Sequence, residues 1–367
     1  MVRGIFTATL CLAFSVAGCG SDDGEGAANS GGNGGSSGSG ATGGSGATGG
    51  SSGTGGGAPE CDGAFAVVPL PYVPNTSLEE WGGFAVDERG AVFTTGPEPT
   101  LTEDPGAFPT VIMASDLSGN LTTLYTDDGS SLFGNLILHA DGVYMLDGPI
   151  FPSIVRMERS GGEPVEIVEE TVFAGPILRG DFIYYATGGV SDPGIYRLDP
   201  ETDASTLLVA REAEIAALDL DGDTLYWIES DGFLEETDYR LFSMPADGGT
   251  AEMVQALPRA ELALVNFRVI DDVLFGSEIT EDIDVVVTRT PIGEAPAIVD
   301  DNGGLPMVIA DGSAYYGSGS GGITKAPLSF ASKTTIAGSA GRSIYSIAVG
   351  PDDLWYSEFS CIYRTAK

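Results

Sequence analysis

The chain of 367 residues contains 53 acidic and 16 basic residues, which gives it a formal net charge of −37 at pH 7. So large an acidic excess argues against nucleic acid and anionic lipid as partners, although it permits divalent cations or a basic protein. The single histidine, His139, excludes a metal site built on two histidines and leaves a Ser–His–Asp arrangement one candidate base.

The first predicted element is an export signal over residues 1–18. Arg3 precedes a mostly apolar run that is too short to cross a bilayer, because a spanning helix needs about 20 apolar residues. Val16, Ala17 and Gly18 then lead to Cys19, an order that resembles the lipobox of bacterial lipoproteins. The resemblance implies cleavage before Cys19 and lipidation of that cysteine, which anchors the chain to a membrane. An ordinary secretory signal with an incidental cysteine is the alternative.

Residues 19–60 are predicted to form the lipidated cysteine and a disordered tether rich in glycine and serine. After Cys19 the segment has no aromatic residue and no Val, Ile, Leu or Met, so it cannot bury enough surface to offset its chain entropy. A flexible chain of this length typically reaches ~35 Å. Gly20, rather than an aspartate, follows the modified cysteine, which by analogy with Gram-negative lipoproteins favours the outer membrane of the cell envelope.

Residues 84–364, within a predicted propeller domain of residues 61–367, repeat one pattern of four short strands. An apolar strand ends in a turn rich in Asp and Gly, and a second strand with adjacent bulky residues follows. A third strand then carries a basic residue, and a fourth apolar strand completes the unit. Seven second strands can be identified: AVFTTG (91–96), VYMLDG (143–148), IYYATG (183–188), LYWIES (225–230), VLFGSE (273–278), AYYGSG (314–319) and LWYSEF (354–359). Four strands every ~40–50 residues predict an all-β, seven-bladed β-propeller.

Several strands resemble those of the YWTD-type propellers of low-density-lipoprotein receptors and their bacterial relatives. LYWIES and LWYSEF contain two aromatic residues followed by an acid, and IYRLDPET resembles that family's third strand and turn. Propellers of that family usually have six blades, so the resemblance leaves six blades as the alternative to seven.

The last unit lacks a fourth strand, whereas the apolar stretch FAVVPLPYV (65–73) has no unit of its own. We therefore expect this amino-terminal stretch to complete the last blade and remove two open sheet edges. Cys61 would then lie beside Cys361. An exported chain meets an oxidising compartment, so a disulfide between them is expected, with two unpaired thiols as the alternative.

Three motifs favour structural rather than chemical roles. Asp219, Asp221 and Asp223 alternate in DLDGD and could offer oxygen ligands to calcium, but the spacing departs from that of an EF-hand and favours a hairpin turn. GSGSGG (317–322) lacks the lysine and helix of a phosphate loop and is predicted to connect two strands. His139 lies where a first strand meets its turn.

A basic residue recurs in the third strand of five units. A ring that binds an anionic ligand is one interpretation. Cross-strand pairing with second-strand acids such as Asp147, Glu229 and Glu358 is the interpretation that we favour. The basic residues are Arg156, Arg197, Arg289, Lys325 and Arg364.

The loops between second and third strands contain the acidic residues that we expect at one rim of the disc. This rim could bind calcium or a basic protein surface, and solvated loop charge is an equal alternative. Its residues are Asp104, Asp192, Asp231, Glu235, Glu236, Asp238, Asp282 and Asp284.

The function predicted from these features is that of a non-enzymatic binding or scaffold module at the cell envelope. No catalytic residue and no cofactor other than possible calcium is predicted, and a monomer is expected. The alternative is a calcium-dependent hydrolase of the lactonase or esterase kind, with carboxylates gathered at one mouth of the channel.

Overall fold

The structure is a computed structural model, and every residue it describes lies within the unit Pro59–Lys367. No helix in this part of the chain is long and apolar enough to cross a bilayer. The predicted signal, Cys19 and the tether lie outside the described residues. The described residues are 61, 64, 66–67, 72–74, 83–97, 110–127, 133–140, 142–148, 152–188, 193–230, 239–257, 263–279, 285–319, 321–337, 344–358 and 361–367.

The described residues form seven antiparallel sheets, which are the blades of a propeller. Strand β1 (Ala66–Val67) belongs to the last blade. Blade 1 contains β2 (Tyr72–Pro74), β3 (Phe84–Asp87), β4 (Gly90–Pro97), β5 (Val111–Asp116) and β6 (Leu121–Thr126). Blade 2 contains β7 (Phe133–His139), β8 (Gly142–Asp147), β9 (Ser153–Glu158) and β10 (Val165–Val168). Blade 3 contains β11 (Val172–Arg179), β12 (Phe182–Thr187), β13 (Gly194–Asp199) and β14 (Ala204–Ala210).

The remaining blades follow the same order. Blade 4 contains β15 (Glu214–Asp221), β16 (Thr224–Ser230), β17 (Tyr239–Pro245) and β18 (Glu252–Leu257). Blade 5 contains β19 (Ala263–Ile270), β20 (Val273–Ile279), β21 (Val285–Pro291) and β22 (Ala297–Asp300). Blade 6 contains β23 (Gly303–Ala310), β24 (Ser313–Ser318), β25 (Ile323–Pro327) and β26 (Thr334–Ala337). Blade 7 contains β27 (Ser346–Val349), β28 (Asp353–Glu358) and β29 (Cys361–Ala366), with β1 beside β29.

Burial explains the composition of the strands. A radial sheet packs both of its faces against neighbouring blades, so a middle strand is apolar on both sides rather than alternating. Val143–Leu146 of β8 are buried in this way, whereas the outer strand β14 is exposed over most of its length. First strands of neighbouring blades contact one another, as β11 does with β7 and β15. The predicted seven-bladed propeller is therefore confirmed, and the seven second strands lie where the sequence placed them.

The two ends of the propeller meet in blade 7. Ala66 pairs with Ile362 and Val67 pairs with Cys361, so β1 is the outer strand of that sheet. Cys61 and Cys361 form a disulfide with a Cα–Cα distance of 5.5 Å across a sequence separation of 300. Closure by an amino-terminal strand is thus confirmed, and so is the cysteine pair.

The stretch 65–73 is not a single closing strand, contrary to the sequence-based expectation. Its second half enters β2, which pairs with β4 of blade 1, with Tyr72 opposite Pro97 and Pro74 opposite Thr95. Strand β3 continues along the same edge of β4, with Phe84 opposite Phe93. The stretch therefore joins the last blade to the first, because it contributes a strand to each.

A break in the first strand recurs around the ring. The register between first and second strands shifts near the same point in blades 2, 3, 4, 5 and 6. In blade 1 the corresponding break separates β2 from β3. Such bulges bend a strand and redirect its side chains, here next to the neighbouring blade.

Candidate functional site at the turn-side mouth

The hairpins between first and second strands of every blade lie at one face of the disc, and we call the channel opening there the turn-side mouth. Tight hairpins need backbone with positive φ, which explains their Asp and Gly content. Gly222, Asp271 and Asp311 have φ values of 56°, 51° and 50°. DLDGD is such a hairpin, because Asp221 ends β15 and Thr224 begins β16 opposite it. His139 ends β7 directly before its turn, as expected.

Side chains at this mouth bind the backbone of the next blade. Arg179 of blade 3 donates from Nη2 to the carbonyl oxygen of Leu220 in blade 4, at 2.8 Å. Asp221 of blade 4 accepts from the N–H of Asp271 in blade 5, at 2.9 Å. Arg89 of blade 1 likewise donates to the carbonyl of Ala140 in blade 2. These bonds satisfy backbone groups of the next blade, one in a first strand and two in the turns that follow first strands.

Asp219 is the most deeply buried of the described side chains that bind the next blade in this way, with 2% of its surface exposed. Its carboxylate accepts from the N–H of Val269 at 2.7 Å and lies 3.2 Å from Nε of Arg268. Burial raises the pKa of Asp219, although the Arg268 charge and the Val269 N–H partly oppose that shift. A residue that could have been a calcium ligand therefore joins blades 4 and 5.

A cavity of about 540 Å³ opens at the turn-side mouth between blades 6, 7, 1 and 2. This volume falls within the range of small-molecule and side-chain binding sites, about 300–1,000 Å³. Apolar residues from three blades contribute to its wall, namely Val86, Leu138 and Val349. Its charged residues include Glu88, Arg89, Asp311 and Lys367.

The charges around the cavity are arranged as ion pairs, with one exception. Lys367 pairs through Nζ with Asp311. Arg159 holds Asp87 at 2.7 Å, and Arg89 lies 3.4 Å from the same carboxylate. Glu88 is exposed and has no ion-pair partner in the part of the chain that the structure describes. The arrangement can hold a cation or a zwitterion against an apolar wall.

Other buried carboxylates hold strands together. Glu229 accepts from Nε1 of Trp227 at 2.9 Å and is paired with Arg211. Asp300 accepts from the hydroxyl of Tyr316 at 2.5 Å and lies 3.1 Å from Nζ of Lys333. Burial raises the pKa of Asp300, but the hydrogen bonds from Tyr316 and Lys333 outweigh it and lower the pKa overall.

Every residue of the predicted acidic rim lies outside the described residues, so the rim and its calcium or protein partner stay predictions. Within the described ranges, no group of three or more His, Cys, Asp or Glu side chains is placed to hold a metal ion. GSGSGG begins within β24 and ends just before β25, which agrees with a connection between strands.

The basic residues of the third strands lie opposite aromatic residues, not opposite Asp147, Glu229 or Glu358. Pairing with a second-strand acid is nevertheless found in blade 7, where Arg364 donates from Nε to Asp353 of β28 at 2.7 Å. Arg364 lies opposite Trp355, with its guanidinium 5.3 Å from the ring centroid. Glu229 lies opposite Arg240, and Glu358 lies opposite Cys361. The same register places Arg156 opposite Tyr144, Arg197 opposite Tyr184, Arg289 opposite Phe275 and Lys325 opposite Tyr315.

Two of these basic residues also reach the next blade. Arg156 of blade 2 lies 3.5 Å from Asp203 in the turn after β13 of blade 3. Arg364 of blade 7 donates to the carbonyl of Leu117 in the turn after β5 of blade 1, at 3.2 Å. They stabilise the joins between blades through stacking and hydrogen bonds.

No protein-family model matches the chain, and no curated protein matches its sequence. Solved structures match its fold. The structure described as YCF48 bound to D1 peptide is 12% identical, with 83% of this chain and 99% of that chain covered and a TM-score of 0.53. A puromycin-hydrolysing peptidase of Mycobacterium tuberculosis is 11% identical, with 82% of this chain and 55% of that chain covered and a TM-score of 0.51. These similarities show the propeller fold.

Proposed function

We propose that this protein is an exported, lipid-anchored binding module of the bacterial cell envelope, and that the cavity at its turn-side mouth binds a segment of a partner protein. The observation that carries the proposal is an open cavity of ligand size, held between four blades of a closed ring. The bonds between blades hold its walls in place, so little ordering is needed when a ligand binds.

The similarity to YCF48 agrees with this function without establishing it. That structure contains a bound D1 peptide, and this chain covers nearly all of its length. A propeller of this size can therefore serve as a peptide receptor, and the mixture of apolar wall and charged rim suits a peptide segment.

A displayed library of random peptides tests the binding function. The probe is the full chain with Cys19→Ala, exported so that its disulfide can form. We expect selection to enrich peptides that bind with a measurable Kd, and Ala310→Phe to abolish binding because it fills the cavity. Ala204→Phe, on the exposed outer strand β14, is the matched control and should bind like the parent. If no peptide is enriched, or if Ala310→Phe binds normally, the cavity is not the binding site.

The location rests on the order of residues that ends at Cys19, and the Cys61–Cys361 disulfide supports export. In a Gram-negative host, we expect the parent chain to be recovered in the membrane fraction with outer-membrane markers. Cys19→Ala should be exported but released as soluble protein. Equal membrane recovery of the two chains would refute the lipid anchor.

A further inference from the structure

The turn-side cavity contains a lysine of the chain itself, and this points to the ligand. We propose that the cavity binds a lysine or arginine side chain of a partner peptide at Asp311 and Glu88, and that Lys367 occupies Asp311 until the partner displaces it. The inference rests on the proposed function, because it assigns a ligand to the same cavity.

The Lys367–Asp311 pair has the geometry of a side chain held in a site. Lys367 follows β29 and has 16% of its side chain exposed, whereas Asp311 in the turn after β23 has 61% exposed. The lysine stem is therefore covered while its carboxylate partner stays open to solvent. A lysine can bury its methylene stem along apolar surface while its ammonium reaches a carboxylate, and the low exposure of Lys367 beside Asp311 agrees with this placement.

The charges around the cavity balance, with three carboxylates and three basic residues, so it is the charge of the whole chain that favours a second cation over an anion. Asp87 is compensated by Arg159 and Arg89, so Glu88 and Asp311 are the carboxylates that remain available. Lys367 balances one of these two. With a net charge of −37 on the whole chain, a cationic ligand is attracted toward this mouth and an anionic one is repelled.

The wall of the cavity suits the stem of such a side chain. Val86 and Val349 come from the ends of first strands in blades 1 and 7, and Leu138 comes from blade 2. An incoming lysine or arginine can lay its methylenes on this wall as its charged group reaches Asp311. Because Asp311 is exposed, solvent screens its attraction to Lys367, and an incoming cation can compete for the carboxylate.

Isothermal titration of the full Cys19→Ala chain tests the inference with a matched pair of peptides. The probe is acetyl-Val-Lys-Val-amide, and the control peptide has norleucine in place of lysine. We expect the lysine peptide to bind at least about fivefold more tightly than the norleucine peptide, and to lose that advantage in high salt.

Two substitutions should change this affinity in opposite directions, which a folding defect cannot do. Asp311→Asn keeps a residue that tolerates positive φ and should weaken binding of the lysine peptide by about fivefold or more. Lys367→Ala should strengthen binding because it removes the internal competitor. Asp181→Asn, in the corresponding hairpin of blade 3, is the control and should have no effect.

The outcomes separate the inference from the proposed function. Equal binding of the two peptides, or an unchanged affinity in Asp311→Asn, overturns the cationic ligand while peptides selected from the library still bind. Unchanged or weaker binding in Lys367→Ala overturns the internal competitor. Failure of every selected peptide to bind contradicts the proposed function itself.

Discussion

At the scale of single residues, buried polar side chains fix the joins between blades. Asp219 illustrates the principle, because the sequence presents it as one of three alternate aspartates in a turn. Its carboxylate accepts the N–H of Val269 in the next blade's first strand, whereas Asp221, two residues later, accepts the N–H of Asp271 in the turn after that strand, near solvent. The energetic weight of the two bonds should differ with their burial.

Removing each carboxylate in turn should show how much more the buried bond of Asp219 contributes to stability than the exposed bond of Asp221. Asp219→Ala leaves the Val269 N–H and the Arg268 charge without their buried partner, and we expect a loss of about 2–4 kcal/mol in the free energy of unfolding. Asp221→Ala should cost less than about 1 kcal/mol, because water can replace the lost acceptor. Urea unfolding of both variants measures the difference, and equal losses would contradict the assignment.

The pH dependence of Asp219 has a definite sign. Burial raises the pKa of Asp219 in the folded chain above its ordinary value of 3.8, so the folded state binds this proton more tightly than the unfolded state. The stability that this proton provides is lost as pH rises through the raised pKa. Asp219→Asn cannot titrate. As pH falls from neutral toward about 4, the parent should therefore gain stability relative to Asp219→Asn. The measurement is the urea midpoint of the parent minus that of Asp219→Asn, which should increase as pH falls. If the midpoint of the parent minus that of Asp219→Asn decreases as pH falls, the pKa of Asp219 is lowered by folding instead.

At the scale of strands, the sequence predicted where strands occur better than it predicted which residues of neighbouring strands lie opposite one another. The second strands were recognisable because they combine apolar runs with Asp and Gly turns, and both signals are local. The residue opposite each basic side chain was not recognisable from the sequence. Loops of different lengths separate second and third strands, so the sequence leaves the register between these strands undetermined. Arg364 opposite Trp355 is a consequence of register alone. The division of the stretch 65–73 between two blades was hidden for the same reason.

The turn-side cavity could not be predicted from the sequence. None of Asp87, Asp311 and Lys367 was singled out from the sequence as a candidate site residue. They come together because blades 6, 7 and 1 are neighbours in the closed ring, so no local pattern could bring them together. The useful signal was the closure itself, which places the last strand beside the first blade.

Two glycines provide a test of the strand geometry. A Cβ on Gly90, at the start of β4, would lie 2.1 Å from the carbonyl oxygen of Ser115, and its φ is +129°. Gly90→Ala should therefore cost about 3 kcal/mol or more. Gly222 has φ +56° and no atom within 4 Å of an added Cβ, so Gly222→Ala should cost only about 1–2 kcal/mol. Chemical denaturation distinguishes them, and a loss in Gly222→Ala as large as that in Gly90→Ala would contradict this packing.

At the scale of the whole molecule, one short strand and one disulfide close the ring. Strand β1 contributes only two paired residues, Ala66 and Val67, so the covalent link supplements a small noncovalent contact. The sequence was sufficient to predict this closure, because the last unit lacked a strand and the two remaining cysteines flanked the propeller. A cross-link between distant residues stabilises chiefly by restricting the unfolded chain.

The disulfide should make a large contribution to stability. In the Cys19→Ala chain, Cys61→Ser should lower the free energy of unfolding by several kcal/mol, with about 5–6 kcal/mol as the upper limit of the chain-entropy estimate. Cys61 is the better position to change, because Cys361 is fully buried. The reduced parent should match Cys61→Ser in thermal unfolding, and reductant should have no effect on the variant. A variant as stable as the oxidised parent would show that the link is dispensable.

The two ends of the propeller meet in its seventh blade, and peptide mapping without reductant detects the covalent link between them. The exported Cys19→Ala chain is alkylated, digested and analysed by mass spectrometry. We expect one cross-linked species that joins the peptides containing Cys61 and Cys361 of the same chain. Recovery of both cysteines as alkylated free thiols, or linked only between chains, would contradict it.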